Sequence, residues 1–148
     1  MKINKELTVS KIYPFEKHTK HEMPLFTAKI SAGFPSPADD YIDKKIDLNE
    51  HLIKHPAATF FVRVVGDSMV NAGIHSGDIL IVDRALEPAD NKIIIAVLDG
   101  ELTVKRVRKK KNKLYLIPEN PDFDPLELTS EMNFEVWGVV TYVIHQVK

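Results

Sequence analysis

The sequence predicts a mostly β protein, built as a curved, partly closed antiparallel sheet with one short helix and an extended N-terminal arm. From residue 59 onward, short runs of β-branched and aromatic residues alternate with turn residues. Asp99-Gly100 joins two of these runs, and a two-residue Asp-Gly connection is a strong hairpin signal. Only residues 47–55 have a helical pattern. Several short strands with regular turns favour a curved antiparallel sheet over alternating strands and helices.

The N-terminal arm precedes this sheet. Apolar positions in residues 1–31 are scattered, Pro14 and Pro24 interrupt them, and we expect at most one short strand there. Residues 32–41 are rich in proline and small residues, as a hinge is. We therefore expect residues 1–41 to form an arm with a hinge and residues 42–148 to form one β-rich domain.

The predicted helix and strands follow in order. Asp47 is the expected N-cap of the helix, Glu50 lies three residues further, and Pro56 ends it. The predicted strands are residues 59–65, 79–82, 92–98, 101–107, 114–117 and 134–147, the last a long strand or a bent pair.

Composition limits the function classes. The formal net charge of −1 gives no overall attraction to nucleic acid or to an anionic membrane, and we expect no sequence-specific DNA binding. Cysteine is absent, which excludes disulfides, thiolate-bound zinc and a cysteine nucleophile. No apolar run approaches the roughly 18 residues of a membrane span. Without an apolar block near the N-terminus, we expect a cytoplasmic protein with no cofactor and no membrane contact.

Ser68 is the candidate nucleophile. It follows a predicted strand and lies close to Gly66, where backbone N–H groups can turn outward and a hydroxyl can be presented. Gly-Asp-Ser is also common turn chemistry, so this motif alone does not establish an active site.

A serine nucleophile needs a base, and three residues are candidates. His75 and His145 lie in unremarkable contexts. Lys105 lies on a strand face whose neighbours are Thr103 and Val107, so that face can turn inward. To act near neutral pH, its pKa must fall from about 10.4 toward about 7, at a cost of about 4.6 kcal/mol, which burial can supply.

Two further patterns have simpler interpretations. His51 and His55 have the spacing of two zinc ligands on a helix, but Leu52 stands where a zinc peptidase needs glutamate, so we predict no metal site there. Seven of the nine residues 105–113 are basic, but no aromatic residues interleave them. We interpret this basic stretch as a solvated hairpin tip rather than a nucleic-acid site.

Seven short stretches together resemble the UmuD-type members of the LexA-like self-cleaving serine proteases. The resemblance runs from about Pro24 to the end of the chain. The matching stretches are AGFPSPADDY (32–41), IDLN (46–49), HPAAT (55–59), GDSM (66–69), GDILIVD (77–83), DGELTVK (99–105) and WGVV (137–140). Each is weak alone, but their order and spacing are specific.

The resemblance implies a role for each matched residue. Ser68 would be the nucleophile and Lys105 the buried neutral base. The oxyanion hole would use backbone N–H groups of Ser68 and Asp67. The bond cut would be Ala32–Gly33 in the chain's own hinge.

The resemblance also implies partners and a purpose. A RecA filament on single-stranded DNA would stimulate the cut. The shortened product would serve a Y-family, error-prone DNA polymerase (UmuC-like) as its accessory subunit in the SOS response, and both forms would be homodimers.

Three other functions compete with this interpretation. A LexA-type repressor needs a DNA-binding domain, which residues 1–31 do not provide. A signal peptidase needs a membrane anchor. A catalytically silent β-domain that only binds a partner would have no reason to keep Ser68, Lys105 and Ala32–Gly33 together.

Overall fold

The computed structural model describes residues 6–15, 22–26 and 42–148. This part of the chain divides into two compact units, the larger within Met1–Phe15 and Ala57–Lys148 and the smaller within Glu16–Pro56. The predicted division between residues 41 and 42 remains a prediction.

The larger unit is an eight-stranded antiparallel sheet that curls into a half-barrel. The order of its strands is β1-β4-β5-β10-β6-β7-β8-β9. Their bounds are β1 Thr8–Pro14, β4 Thr59–Val65, β5 Ile79–Asp83, β6 Ile93–Leu98, β7 Glu101–Lys110, β8 Lys113–Ile117, β9 Leu126–Glu127 and β10 Phe134–Ile144. The predicted fold class is thereby confirmed.

The smaller unit contains a two-stranded antiparallel sheet and a helix. Strands β2 (Glu22–Phe26) and β3 (Ile42–Asp47) pair, and helix α1 (Leu48–Leu52) follows β3. Asp47 caps α1 as predicted, because its Oδ1 accepts the Glu50 N–H at 3.2 Å. The helix ends at Leu52, earlier than predicted, because its C-cap residue Ile53 is already in extended backbone.

The sheet differs from the prediction mainly at strand ends and in the arm. Strand β7 continues to Lys110, and β10 ends at Ile144 with register shifts between Val136 and Gly138 and between Val140 and Tyr142. Strands β1 and β2 both lie where at most one short strand was expected. Strand β1 has little apolar periodicity, and its pairing with the edge of β4 stabilises it instead.

Both faces of the central strands are packed. One core cluster contains Leu7, Val62, Val64, Met69, Ile74, Leu80, Val82, Ile95 and Val104. A second contains Ile94, Ala96, Val107, Leu116 and Val139. Side chains alternate along a strand, so β6 contributes to both clusters, which explains why its sequence is continuously apolar. The first cluster lies beside the turn that carries Ser68.

Candidate active site

The turn after β4 presents Ser68 at the edge of the first core cluster. Gly66 begins the turn with φ of +113°, a conformation that favours glycine. A Cβ atom at this position would lie only 2.1 Å from the Glu6 carbonyl oxygen, so glycine permits close approach of the N-terminal segment. Ser68 is fully buried. The turn therefore presents its hydroxyl to other protein groups rather than to solvent.

Lys105 on β7 is the basic group that reaches this hydroxyl. Its side chain is buried, as the strand-face argument predicted, and Nζ lies 3.4 Å from Ser68 Oγ. Nζ also donates to Thr103 Oγ1 at 3.1 Å and to the Val104 carbonyl at 3.3 Å. The fold thus brings together a serine and a lysine that are 37 residues apart in the chain.

The two alternative bases lie elsewhere. His145 Nδ1 is 2.5 Å from Asp78 Oδ1, and His75 packs against His145 with ring centroids 5.2 Å apart. Neither histidine has a described contact with Ser68. Among the three candidates, Lys105 is the one placed to take a proton from Ser68.

Burial lowers the pKa of Lys105 from 10.5 to about 8. The Glu6 carboxylate acts in the opposite direction, because it contacts Nζ and a negative charge favours the ammonium form. Since the Glu6 side chain is about half exposed, solvent weakens this opposing effect. The protonation of Lys105 therefore depends on whether Glu6 stays in contact.

Leu7 occupies the other side of the hydroxyl. Its backbone N–H donates to Ser68 Oγ at 2.9 Å, and its side chain is fully buried in the first core cluster. Sequence reasoning missed both Glu6 and Leu7, because the segment that carries them has no active-site motif. The close packing against Gly66 was equally hidden in the sequence.

The carbonyl of Asp67 is fixed from one side. It accepts the Asn120 side-chain amide at 2.8 Å and the Val70 N–H at 3.4 Å. In a trans peptide the N–H points opposite the carbonyl, so the Ser68 N–H points away from Asn120. Asn120 thus sets the direction of one of the two predicted oxyanion-hole groups. Because it lies 53 residues from Asp67, no local sequence pattern could identify it.

Met69 anchors the turn in the core. Its side chain is fully buried, and its carbonyl accepts the N–H groups of Ala72 and Ile74 at 3.0 and 3.3 Å. The Glu119 N–H points to Met69 Sδ at 3.4 Å. A packed methionine directly after the serine limits how far the hydroxyl can move.

The predicted cleavage site, Ala32–Gly33, lies outside the described residues. Its relation to Ser68 therefore stays a prediction.

Besides Lys105, three residues of the basic stretch 105–113 face acidic partners. Arg106 contacts Glu119 at 2.5 Å, Arg108 lies 3.8 Å from Asp90, and Lys113 lies 3.6 Å from Glu127. These ion pairs offset part of the positive charge of the stretch.

Comparison with known proteins connects this geometry to a family. The family described as Peptidase S24-like matches residues 24–141. Protein SamA of Salmonella typhimurium is 45% identical over 137 residues, covering 93% of this chain and 95% of SamA. Protein ImpA of Escherichia coli is 46% identical over 126 residues, covering 84% of this chain and 85% of ImpA. The LexA repressor of Ectopseudomonas mendocina is 39% identical over 103 residues, which is 70% of this chain and 50% of the repressor.

No helix among the described residues is long and apolar enough to span a membrane.

Proposed function

Because the chain belongs to the S24-like peptidase family and resembles its UmuD-type members, we propose that it is a self-cleaving serine peptidase with a Ser68–Lys105 dyad. The observation that carries this proposal is the 3.4 Å approach of Lys105 Nζ to Ser68 Oγ in a buried site. The bond cut is Ala32–Gly33.

The lowered pKa of Lys105 supports its role as the base. At pH 7 a lysine with a pKa of about 8 is about 9% neutral, against about 0.03% at 10.5, a gain of about 300-fold. That neutral fraction can accept the proton of Ser68 without a further charged partner.

The dyad performs acyl transfer in two halves. Neutral Lys105 takes the proton of Ser68 as Oγ attacks the Ala32 carbonyl carbon, and the Ser68 N–H stabilises the resulting oxyanion. Lys105 then gives its proton to the Gly33 amine as the peptide bond breaks. Water, deprotonated by Lys105, hydrolyses the ester between Ala32 and Ser68 and restores both groups. Since the substrate is part of the same chain, orientation supplies much of the barrier reduction.

The proposed setting is the SOS response in the cytoplasm. A RecA filament on single-stranded DNA stimulates the cut, and the shortened homodimer serves a Y-family polymerase. The resemblance to UmuD-type proteins supports these partners. The outer face of the sheet also exposes Tyr13, Tyr142 and Ile144 at 37–47%, which supports a protein partner on that face.

The test is incubation of the purified chain alone between pH 6 and 10, with fragments identified by mass spectrometry. We expect two products, residues 1–32 and 33–148. The folded pKa of Lys105 lies below its ordinary value, so the rate should rise about tenfold per pH unit below about 8 and level off above it. Ser68→Ala is the matched control and should yield no fragments. If the unsubstituted chain is uncut at every pH, the silent interaction module is the better interpretation.

A further inference from the structure

Residues 6–15, here called the strap, cover the Ser68–Lys105 dyad. Leu7 donates its N–H to Ser68 Oγ at 2.9 Å, and the Glu6 carboxylate contacts Lys105 Nζ. Strand β1 then continues away from the site in antiparallel register with β4, from Thr8 opposite Val65 to Pro14 opposite Phe60. The strap therefore engages both catalytic groups and is secured along a whole strand.

The dyad cannot cleave the strap in the arrangement that the structure shows. Ser68 Oγ accepts an amide N–H from Leu7, whereas hydrolysis requires the same oxygen to approach a carbonyl carbon. At the same time, the contact with Glu6 favours the ammonium form of Lys105, which cannot act as a base. Both effects keep the dyad silent.

We propose that the strap is an autoinhibitory element that must leave before the chain can cut itself. This inference rests on the proposed dyad. The strap lies on the N-terminal side of Ala32–Gly33, so self-cleavage would also sever it from the core that it covers. Displacement of the strap would thus be the regulated step, and the cut would make the change permanent.

Two substitutions separate the two contacts. Glu6→Gln removes the carboxylate and preserves the shape of the side chain. It should raise the unstimulated rate of self-cleavage about 3- to 10-fold at pH 7, and the gain should vanish near pH 10, where Lys105 is neutral in both proteins. Leu7→Ala weakens the anchor in the core and should raise the rate at every pH. Lys11→Gln, on exposed β1, is the matched control and should leave the rate within twofold.

Hydrogen exchange tests the strap without relying on catalysis. In Ser68→Ala protein, the amides of residues 8–13 should be protected, and Leu7→Ala should reduce that protection. Protection no greater than in a free peptide would overturn the inference. So would Glu6→Gln and Leu7→Ala proteins that cut themselves, but no faster than the unsubstituted chain. Absence of cutting in the unsubstituted chain and in both variants would instead contradict the proposed function, and hydrogen exchange would still show whether the strap is held in place.

A separate cluster has the donor set of a metal site. His75, Asp78 and His145 offer ligand atoms that all lie within 4.8 Å of one another. The pairing of Ile144 with Ile79 places His145 beside Asp78, and the Asp78 carboxylate is 2% exposed. The backbone N–H of His75 donates to Asp78 Oδ2 at 2.8 Å, and this hydrogen bond fixes the loop that carries His75. Both imidazoles remain about half exposed, so an ion can reach them.

From this cluster we infer a site for Zn²⁺ or a similar borderline divalent cation. Two imidazoles and one carboxylate are ligands that zinc accepts, and three protein ligands leave a fourth position for water. The His75 backbone N–H holds the Asp78 carboxylate, and strand pairing places His145 beside it, so two of the three ligands are already positioned.

Zinc titration of untagged full-length protein tests the site. We expect one Zn²⁺ per chain with micromolar affinity, and an absorption band of bound Co²⁺ typical of four or five ligands. His75→Ala and His145→Ala should each weaken binding at least tenfold. The double variant His51→Ala/His55→Ala removes two other histidines and should leave binding unchanged. No saturable binding at 100 µM, about a hundred times the expected Kd, would overturn the inference. So would affinity that survives His145→Ala.

Discussion

The two ends of strand β7 carry the same side chains in opposite environments. At its N-terminal half, Lys105 is buried beside Ser68, while at its C-terminal end Lys109 and Lys110 are exposed. Lys105 and Lys109 even lie on the same face of the strand, because side chains alternate with a period of two. The difference shows that burial, rather than residue type, turns one lysine into a candidate base.

The largest contrast is expected when the two lysines are each truncated. Lys105→Ala should lower the rate of self-cleavage by at least about 1000-fold, because none of the other described residues then offers Ser68 a base. Lys109→Ala removes the same side chain from the same face and should leave the rate within twofold. Mass spectrometry of timed samples measures both. Substantial cutting by Lys105→Ala protein would transfer the role of base to another group.

The free energy of unfolding should also depend on Lys105 more than on Lys109. Here, however, removal of Lys105 should increase the quantity, whereas it decreases the rate of self-cleavage. The folded pKa of Lys105, about 8, lies below the unfolded value, so the folded state binds fewer protons between pH 8 and 10.5. Burial of the ammonium thus costs about 3 kcal/mol below pH 8, and this cost falls as pH rises toward 10.5. The contact with Glu6 offsets part of it.

We therefore expect Lys105→Met to raise the free energy of unfolding by about 1–3 kcal/mol at pH 7 and by almost nothing near pH 10.5. Urea denaturation at the two pH values measures this difference. Lys109→Met, on the exposed end, is the control and should change stability by less than about 0.5 kcal/mol at either pH. A destabilising Lys105→Met at pH 7 would mean that the contact with Glu6 outweighs the cost of burial.

The contrast within β7 was partly predictable from the sequence. The Asp99-Gly100 turn fixes the register of the hairpin, with Leu98 opposite Glu101, and hence which residues share a face with Lys105. Period-two alternation then correctly suggested that Thr103 and Val107 accompany it inward. These are local signals, and local signals are what a sequence displays most directly.

The contacts that complete the site are not local. Glu6 contacts Lys105 from 99 residues away along the chain. Leu7 contacts Ser68 from 61 residues away, and Asn120 contacts Asp67 from 53 residues away. Nothing in the composition of β1 indicates that it pairs with the edge of β4. Such contacts depend on tertiary packing, which overrides the weak propensity of a short polar strand. The contacts of Glu6 with Lys105 and of Leu7 with Ser68 therefore could not be predicted from the sequence.

The smallest effect is expected at the exposed end of the strand. Lys109 lies four residues, or about 13 Å, along the strand from Lys105, which exceeds the Debye length of about 8 Å at physiological ionic strength. The triple variant Lys109→Gln/Lys110→Gln/Lys111→Gln should therefore change the rate of self-cleavage by less than twofold at 150 mM salt. At 10 mM salt, where the Debye length is about 30 Å, removal of three positive charges should raise the pKa of Lys105 slightly and shift the pH–rate profile upward by a few tenths of a unit. Rates measured at both salt concentrations test this. An effect of the triple variant that persists at 150 mM would mean that the exposed end acts on the site through structure rather than through charge.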